Sequence, residues 1–170
     1  WVLQNSVSAT LLVTHDPEEA MFMSDRIAVI ENSRIVQMGS PQHLYHAPAS
    51  RFVLSLFGEV NSFVGVVAQG HIETPLGPMR ARGLQDGTRA EVCIRAEDMR
   101  LDPESTIRGT VVTARMVGRQ TLLHLDLISG EGGAEHVHAR LTDPVPPAMG
   151  ERVGLAVDSQ QFFVFPLPTS

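Results

Sequence analysis

The spacing of apolar and polar positions in the first third of the chain differs from that in the rest. The first third follows a mixed α/β pattern. Residues 10–14 form a short apolar, β-branched run that predicts a buried strand. Asp16 and Pro17 then supply the cap and the first turn of a helix that should extend to about Ser24. The pattern therefore predicts that a strand turns into a helix at His15.

A hairpin and two further helices are predicted after this point. Residues 26–31 and 34–38 read as two strands joined by a tight turn. Ser40 is a suitable N-cap with Pro41 at the first helical position, and residues 50–56 predict another short helix. Residues 1–60 are thus expected to form one α/β segment.

The remaining residues, 61–170, show short alternating segments separated by Gly, Pro and Asp. This spacing, with almost no helical periodicity, indicates a small all-β barrel or sandwich and makes the whole chain α+β. A hairpin turn is predicted at residues 118–120. The predicted strands are residues 63–68, 71–74, 79–82, 89–94, 106–117, 121–128, 136–141, 152–157 and 162–165.

Composition narrows the class of protein. Hydrophobic residues make up 43% of the chain, which is enough for a core. The net charge of −6 and the aromatic content of 5% argue against a nucleic-acid partner, which would require a basic face and exposed aromatics. A single cysteine, Cys93, excludes an intramolecular disulfide and fits a reducing compartment. No signal peptide or membrane-spanning run is visible, so a cytoplasmic protein is expected.

His15 is the first candidate for chemistry. It follows the predicted strand at residues 10–14, and ligands of α/β sheets commonly bind at the carboxyl ends of strands. An imidazole there can donate a hydrogen bond to an anionic oxygen such as a terminal phosphate. A histidine that is merely packed or solvated at a strand end is the alternative interpretation.

Two stretches, one that contains His15 and one that follows it, resemble a known family. LLVTHDPEEAM followed by SDRIAVIENSRIVQMGSPQHLYHAP resembles the end of the nucleotide-binding domain of ABC importer ATPases, over residues 10–57. The resemblance implies that His15 is the switch histidine, a catalytic residue that contacts the γ-phosphate of ATP and helps to hold the attacking water. Asp16 would be its neighbour at the start of the helix.

Other parts of an ATPase site do not occur in this sequence. It contains no G-x-x-x-x-G-K-[ST] loop, no LSGGQ-like signature and no apolar strand that ends in Asp-Glu. In the family these motifs precede the switch histidine. We therefore expect a longer parent protein that uses ATP and Mg²⁺, and we expect the 170-residue piece alone to be inactive and to hold neither cofactor.

The second segment resembles an accessory domain of the same importers, often called TOBE. VCIRAEDMRL at residues 92–101 resembles a characteristic line of that domain, although Ala96 replaces the usual proline. Residues 109–127 resemble its central hairpin, and residues 150–166 resemble its closing strands. The resemblance implies an OB-like barrel that regulates or supports the ATPase dimer.

Several other residues have two interpretations, one as a binding site and one as a structural feature. Arg95, Glu97 and Asp98 are a ligand-sensing cluster or, preferably, a salt-bridged turn. His136 and His138 share one strand face at a spacing that can bind metal. Because no third ligand is identifiable nearby in the sequence, an exposed polar face is preferred and no metal site is assigned.

Apolar and basic side chains elsewhere are assigned structural roles. The run of residues 21–23, Met-Phe-Met, is expected to pack in a core. Cys93 should be a buried small hydrophobe, and Arg80 and Arg82 should lie on a solvated strand face.

Energy coupling in solute import is the function that the resemblance implies. The expected partners are a second copy of the subunit and transmembrane permease subunits, at the cytoplasmic face of the inner membrane. Residues 58–67 and 72–81 resemble subunits assigned to ferric-iron uptake, so ferric iron is the favoured solute, ahead of a polyamine or another organic solute and of an inorganic oxyanion. A stand-alone module that regulates or binds a small anion or solute is the alternative.

Overall fold

The structure, a computed structural model, describes residues 9–128, 134–142, 146–157 and 161–168. It divides the chain into two compact units, Trp1–Phe57 and Gly58–Ser170. None of the helices in these described ranges has the length and hydrophobicity that crossing a bilayer requires.

The first unit contains three short helices and one hairpin. Each helix begins at a side-chain cap, because the caps Asp16, Ser40 and Ser50 accept hydrogen bonds from backbone N–H groups of the first turn. In chain order the elements are α1 Pro17–Met23, β1 Ile27–Glu31, β2 Arg34–Gly39, α2 Pro41–His46 and α3 Arg51–Leu56. The predicted helices and hairpin are confirmed to within about two residues.

The backbone angles of the hairpin turn explain why small polar residues occupy it. Asn32 and Ser33 both have positive φ angles, of 49° and 61°. Two consecutive left-handed residues form the turn whose twist matches an antiparallel strand pair. A small core of this unit forms around Val29, Leu44 and Val53.

Two predictions for this unit are wrong. Residues 10–14 are not a strand, and Leu11 and Val13 are 89% and 87% exposed. A strand needs a neighbour for its backbone hydrogen bonds, and no described strand lies beside this run. The expected core packing of α1 is also incorrect, because α1 buries none of its residues and Phe22 is 84% exposed.

The second unit is almost entirely antiparallel sheet. A five-stranded sheet has the order β10-β9-β8-β11-β7, a three-stranded sheet has the order β12-β6-β3, and β4 pairs with β5. All nine predicted strands are present. The strands are β3 Val60–Val66, β4 His71–Ile72, β5 Met79–Arg80, β6 Arg89–Arg95, β7 Met99–Leu101, β8 Arg108–Val117, β9 Gln120–Ile128, β10 Ala134–Leu141, β11 Arg152–Val157 and β12 Phe163–Pro166.

The sheets are open, so the prediction of a closed barrel is wrong. A strand has two hydrogen-bonding edges, and the central strands use both: β6 pairs with β3 and β12, and β8 pairs with β9 and β11. Across the described residues, no ladder joins β10 to β7 or either of them to the smaller sheet. The strand β7, preceded by a single helical turn at Ala96–Asp98, was also missed by the sequence pattern.

One core joins the two larger sheets. It contains Val92 and Ile94 of β6 together with alternate residues of β9 and β10. In β9 the side chains of Leu123, Leu125 and Leu127 are buried, so the residues between them point to the opposite face. The same alternation buries Val137, Ala139 and Leu141 of β10.

The final strand shows how its two apolar faces are covered. Phe162 and Val164 pack against the core, whereas the rings of Phe163 and Phe165 stack on each other at 6.5 Å between centroids. The Arg95 guanidinium lies 5.1 Å from the Phe163 ring centroid, a cation–π distance. The strand therefore finds cover on both faces within its own unit.

Candidate functional site

His15 lies directly before the first capped helix. The Asp16 carboxylate accepts hydrogen bonds from the backbone N–H groups of Glu18 and Glu19, at 2.9 and 3.2 Å. The Asp16 N–H donates in turn to the Thr14 hydroxyl at 3.0 Å. These bonds fix the backbone on both sides of His15, whose own side chain is exposed.

This arrangement allows one kind of chemistry at His15. An exposed imidazole can donate a hydrogen bond to an anionic oxygen that arrives from solution or from another part of a protein. One oxygen of the Asp16 carboxylate, Oδ1, accepts both helix N–H groups and so caps the backbone. In the first unit, the structure places His15 at the helix start as predicted, but without the strand that was expected to deliver it.

A second group of polar side chains lies on the outer face of β9 and β10. In the register of these strands His138 is opposite His124, and His136 is opposite Asp126. The ring centroids of His124 and His138 are 4.3 Å apart, and that of His136 lies 5.4 and 5.2 Å from them. One potential ligand nitrogen from each of the three imidazoles falls within 4.8 Å of the others. We call these residues the histidine cluster.

Two carboxylates flank the histidine cluster. Nδ1 of His136 is 2.8 Å from Asp126 Oδ1, and Nδ1 of His138 contacts Glu59 Oε1. A carboxylate on Nδ1 favours the proton on that nitrogen and leaves Nε2 with a free lone pair. Nε2 of His136 lies 3.4 Å from Nδ1 of His124.

Asn61 holds the backbone of β10 beneath this cluster. Its side chain is buried, accepts a hydrogen bond from the His138 N–H at 2.7 Å and donates one to the His138 carbonyl at 2.8 Å. Because Asn61 belongs to β3, these two bonds tie the smaller sheet to the edge strand of the larger one. They also fix the direction of the His138 side chain.

The pKa of His124 is lowered from its usual value near 6.5. Burial is the main cause, since it disfavours the charged imidazolium, and the neighbouring His138 and His136 add to the effect. Glu59 opposes the shift and Arg115 reinforces it weakly. The shift of this pKa favours the neutral ring, which keeps a lone pair on one nitrogen.

The third histidine is the feature that the sequence pattern missed. His136 and His138 were recognised as sharing one strand face, and their proximity is confirmed. His124 precedes them by more than ten positions, so only the pairing register of β9 with β10 brings it alongside. The repeated H-x-D and H-x-H spacing in two neighbouring predicted strands was the available signal.

The remaining candidates have structural surroundings. Arg95 is buried and faces Phe163, while Glu97 is exposed. Cys93 is fully buried, as predicted. Arg80 and Arg82 are exposed beside buried Met79 and Ala81, which confirms the predicted solvated face.

Comparison with known proteins finds a family match within the second unit and relatives that are similar over most of the chain. Residues 92–165 match the model of the TOBE domain. The chain is 36% identical over 140 residues to the spermidine/putrescine import ATP-binding protein PotA of Mesorhizobium japonicum, covering 76% of this chain and 38% of that protein.

Two further relatives have different substrates in their names. The sn-glycerol-3-phosphate import ATP-binding protein UgpC of Roseobacter denitrificans is 32% identical, over 96% of this chain and 48% of the relative. The Fe(3+) ions import ATP-binding protein FbpC 1 of Rhodococcus jostii is 30% identical, over 92% and 46%. The chain thus spans less than half the length of each of these relatives and is similar to ATP-binding subunits of several importers.

Proposed function

We propose that this chain is the C-terminal part of the ATP-binding subunit of an ABC importer, in which ATP hydrolysis drives solute uptake. The supporting observation is an ordered series: His15, the capped helix α1, the hairpin β1–β2, the capped helix α2 and then a TOBE-matching β unit. Similarity to importer ATP-binding proteins extends across nearly the whole of this series. Residues 1–60 are then the tail of the nucleotide-binding domain, and residues 61–170 are its accessory domain.

His15 has a defined role under this proposal. In the complete subunit its imidazole donates a hydrogen bond to the γ-phosphate of ATP and helps to position the attacking water. The exposure of His15 and the fixed backbone around it suit a side chain that must meet a ligand bound by other segments. Mg²⁺ and most phosphate contacts would come from motifs that this sequence does not contain.

The partners follow from the same proposal. The complete subunit would pair with a second copy of itself and would bind transmembrane permease subunits, as a peripheral protein on the cytoplasmic face of the inner membrane. The TOBE-matching unit would support the contact between the two copies.

Ferric iron is the solute that we propose. The wording of residues 58–67 and 72–81 supports it, and one of the relatives is named for Fe³⁺. Relatives named for polyamines and for glycerol 3-phosphate are similar to this chain at comparable identity. Uptake measurements distinguish these solutes. If the assignment to iron is correct, deletion of the gene should reduce uptake of labelled Fe³⁺ and leave uptake of labelled spermidine unchanged. The reverse result would contradict the assignment.

The gene itself provides the most direct test of the family assignment. DNA upstream of the Trp1 codon should encode, in the same frame, a G-x-x-x-x-G-K-[ST] loop, an LSGGQ-like signature and an Asp-Glu pair after an apolar strand. The complete product should hydrolyse MgATP when it is assembled with its permease. An in-frame stop codon upstream of the Trp1 codon, with none of these motifs encoded between the two, would refute the proposal.

A further inference from the structure

We propose that the histidine cluster, His124, His136 and His138, is a binding site for one divalent transition-metal ion, with Zn²⁺ as its best match. This proposal concerns the TOBE-matching unit alone and does not depend on the ATPase assignment. The argument rests on the identity of the donors, their spacing and the groups behind them.

The spacing of the nitrogens suits a tetrahedral ion. Two imidazole nitrogens bound at 2.0–2.1 Å to a tetrahedral Zn²⁺ lie about 3.3–3.4 Å apart. Nε2 of His136 and Nδ1 of His124 are 3.4 Å apart, and the ligand nitrogen of His138 completes a triangle within 4.8 Å. Binding of one ion by all three nitrogens requires ring rotations that shorten the longer separations to about 3.3–3.4 Å.

The donor set selects the class of metal. Neutral imidazoles suit zinc, copper and nickel ions, whereas Mg²⁺ and Ca²⁺ prefer oxygen ligands. Three histidines with an open fourth position form a common zinc arrangement in which water completes the shell. The side chain of His136 is 45% exposed and that of His138 is 31% exposed, so an ion and its water can enter from solvent.

The carboxylates behind two of the histidines complete the case. Histidines that bind metal usually donate their other N–H to a carboxylate or a carbonyl, which fixes the ring and raises its basicity. Asp126 and Glu59 occupy this position behind His136 and His138. Their two negative charges also balance the charge of a divalent ion in a half-buried site.

The backbone beneath the cluster is rigid. The two hydrogen bonds between Asn61 and His138 hold β10 against β3, and the ladder between β9 and β10 sets His124 opposite His138. An ion would therefore join β9 to β10 directly and, through Glu59, would connect them to the start of β3. Binding should stabilise the folded state of this unit.

The test uses the full 170-residue chain, produced without a polyhistidine tag and stripped with a chelator. Titration with Co²⁺ should give the intense visible bands of a four-coordinate ion at one equivalent per chain, and Zn²⁺ should displace it. Zn²⁺ should also raise the midpoint of thermal unfolding, because a ligand that binds only the folded state stabilises it. Mg²⁺ should do neither.

Variants decide whether the cluster is responsible. His136→Ala changes an exposed position of the edge strand and should abolish the four-coordinate bands, and Asp126→Ala should lower the affinity by roughly 10–100-fold. His71→Ala, an exposed histidine on β4 of the same unit, is the control and should bind as the parent chain does. His136→Gln keeps a polar side chain and provides a second test that does not depend on the folding of the alanine variant.

Three outcomes would overturn the proposal. They are the absence of a four-coordinate spectrum at one equivalent of Co²⁺, unchanged affinity in both His136 variants, and an equal loss of affinity in His71→Ala. Circular dichroism of each variant verifies that the sheets remain folded during these measurements.

Discussion

Single histidines in this chain occupy two different chemical situations. His15 is exposed and lies between backbone segments that Thr14 and Asp16 hold in place. His124 is half-buried between two other imidazoles, and its pKa is lowered as a result. The first is suited to a ligand that other residues bind, and the second to a ligand that the cluster itself binds.

Replacement of His15 tests the first situation. In the complete importer subunit that we propose, His15→Ala should lower ATP hydrolysis by about 100–1,000-fold, since one transition-state donor contributes roughly 3–4 kcal/mol. ATP binding should be nearly unchanged. Steady-state turnover and equilibrium binding of a fluorescent ATP analogue measure the two effects, with His43→Ala, an exposed histidine of α2, as the control. Turnover of the His15 variant at the parent rate would rule out the proposed role.

Gly154 tests how tightly β11 is packed. A Cβ at this position would lie 2.0 Å from the backbone oxygen of Asp102, which cannot move without disturbing the Asp102–Gly154 hydrogen bond. Gly154→Ala should therefore destabilise the unit by about 3 kcal/mol, at the upper end of overpacking costs. Gly109→Ala meets side-chain atoms rather than backbone, the nearest being the ends of Leu155 at 3.0 Å and Leu127 at 3.2 Å, and should cost less. Urea unfolding followed by circular dichroism ranks the two, and equal stabilities would contradict this packing.

At the scale of elements, the side chain of Asn61 connects the two larger sheets through two hydrogen bonds to the His138 backbone. Asn61→Ala should destabilise the second unit by about 1–3 kcal/mol, because the N–H of His138 would lose its partner in a partly buried environment. The same change should weaken metal binding, since it frees the backbone that directs His138. Glu135→Ala, on the exposed surface of β10, is the control and should stay within about 0.5 kcal/mol of the parent. Equal urea midpoints for the two variants would show that Asn61 does not connect the sheets.

The elements that could be predicted from the sequence are those specified by local chemistry. Helix caps at Asp16 and Ser40 and the turns after Glu31 and Val117 act over a few residues, and the structure contains all of them. The apolar–polar alternation likewise identified nine of the strands of the second unit but not the short strand β7.

Features that depend on pairing between distant segments were not predictable in this way. Strand order decides that the sheets stay open, and register decides that His124 meets His136 and His138. The run at residues 10–14 has a strand-like composition, but composition supplies no neighbouring strand. Both this wrong prediction and the omission of His124 arise because pairing between distant strands cannot be derived from local composition.

At the scale of the whole molecule, the sequence predicts a chain that cannot hydrolyse ATP by itself. The loop that cradles phosphates and the residues that bind Mg²⁺ are missing from these 170 residues. A coupled assay on the purified chain should show no turnover above background, and ATP should not shift its unfolding midpoint. Turnover that disappears in His15→Ala would contradict this expectation, because it would show a complete site within this sequence.

The surface of the first unit has a consequence for association. Ile30 and Ile35 lie directly opposite each other in the hairpin, and both are more than half exposed. Leu11, Val13 and Phe22 are exposed to a greater extent. Burial of a large apolar side chain stabilises a protein by roughly 1.5–3 kcal/mol, and an exposed side chain forgoes this free energy. In contrast, β12 of the second unit finds cover for both faces within its own unit.

We therefore predict that the isolated chain forms a homodimer at micromolar concentration, and that the first unit supplies much of the contact. Light scattering should report about twice the chain mass of 18.5 kDa. Ile30→Lys combined with Ile35→Lys should shift the protein toward the monomer, since charges on this face oppose its burial. Val66→Lys, at an exposed apolar position of β3, is the matched control and should leave the dimer intact. A parent chain that stays at 18.5 kDa across the concentration range would refute self-association, because the exposed apolar face would then be stable in water without a second copy.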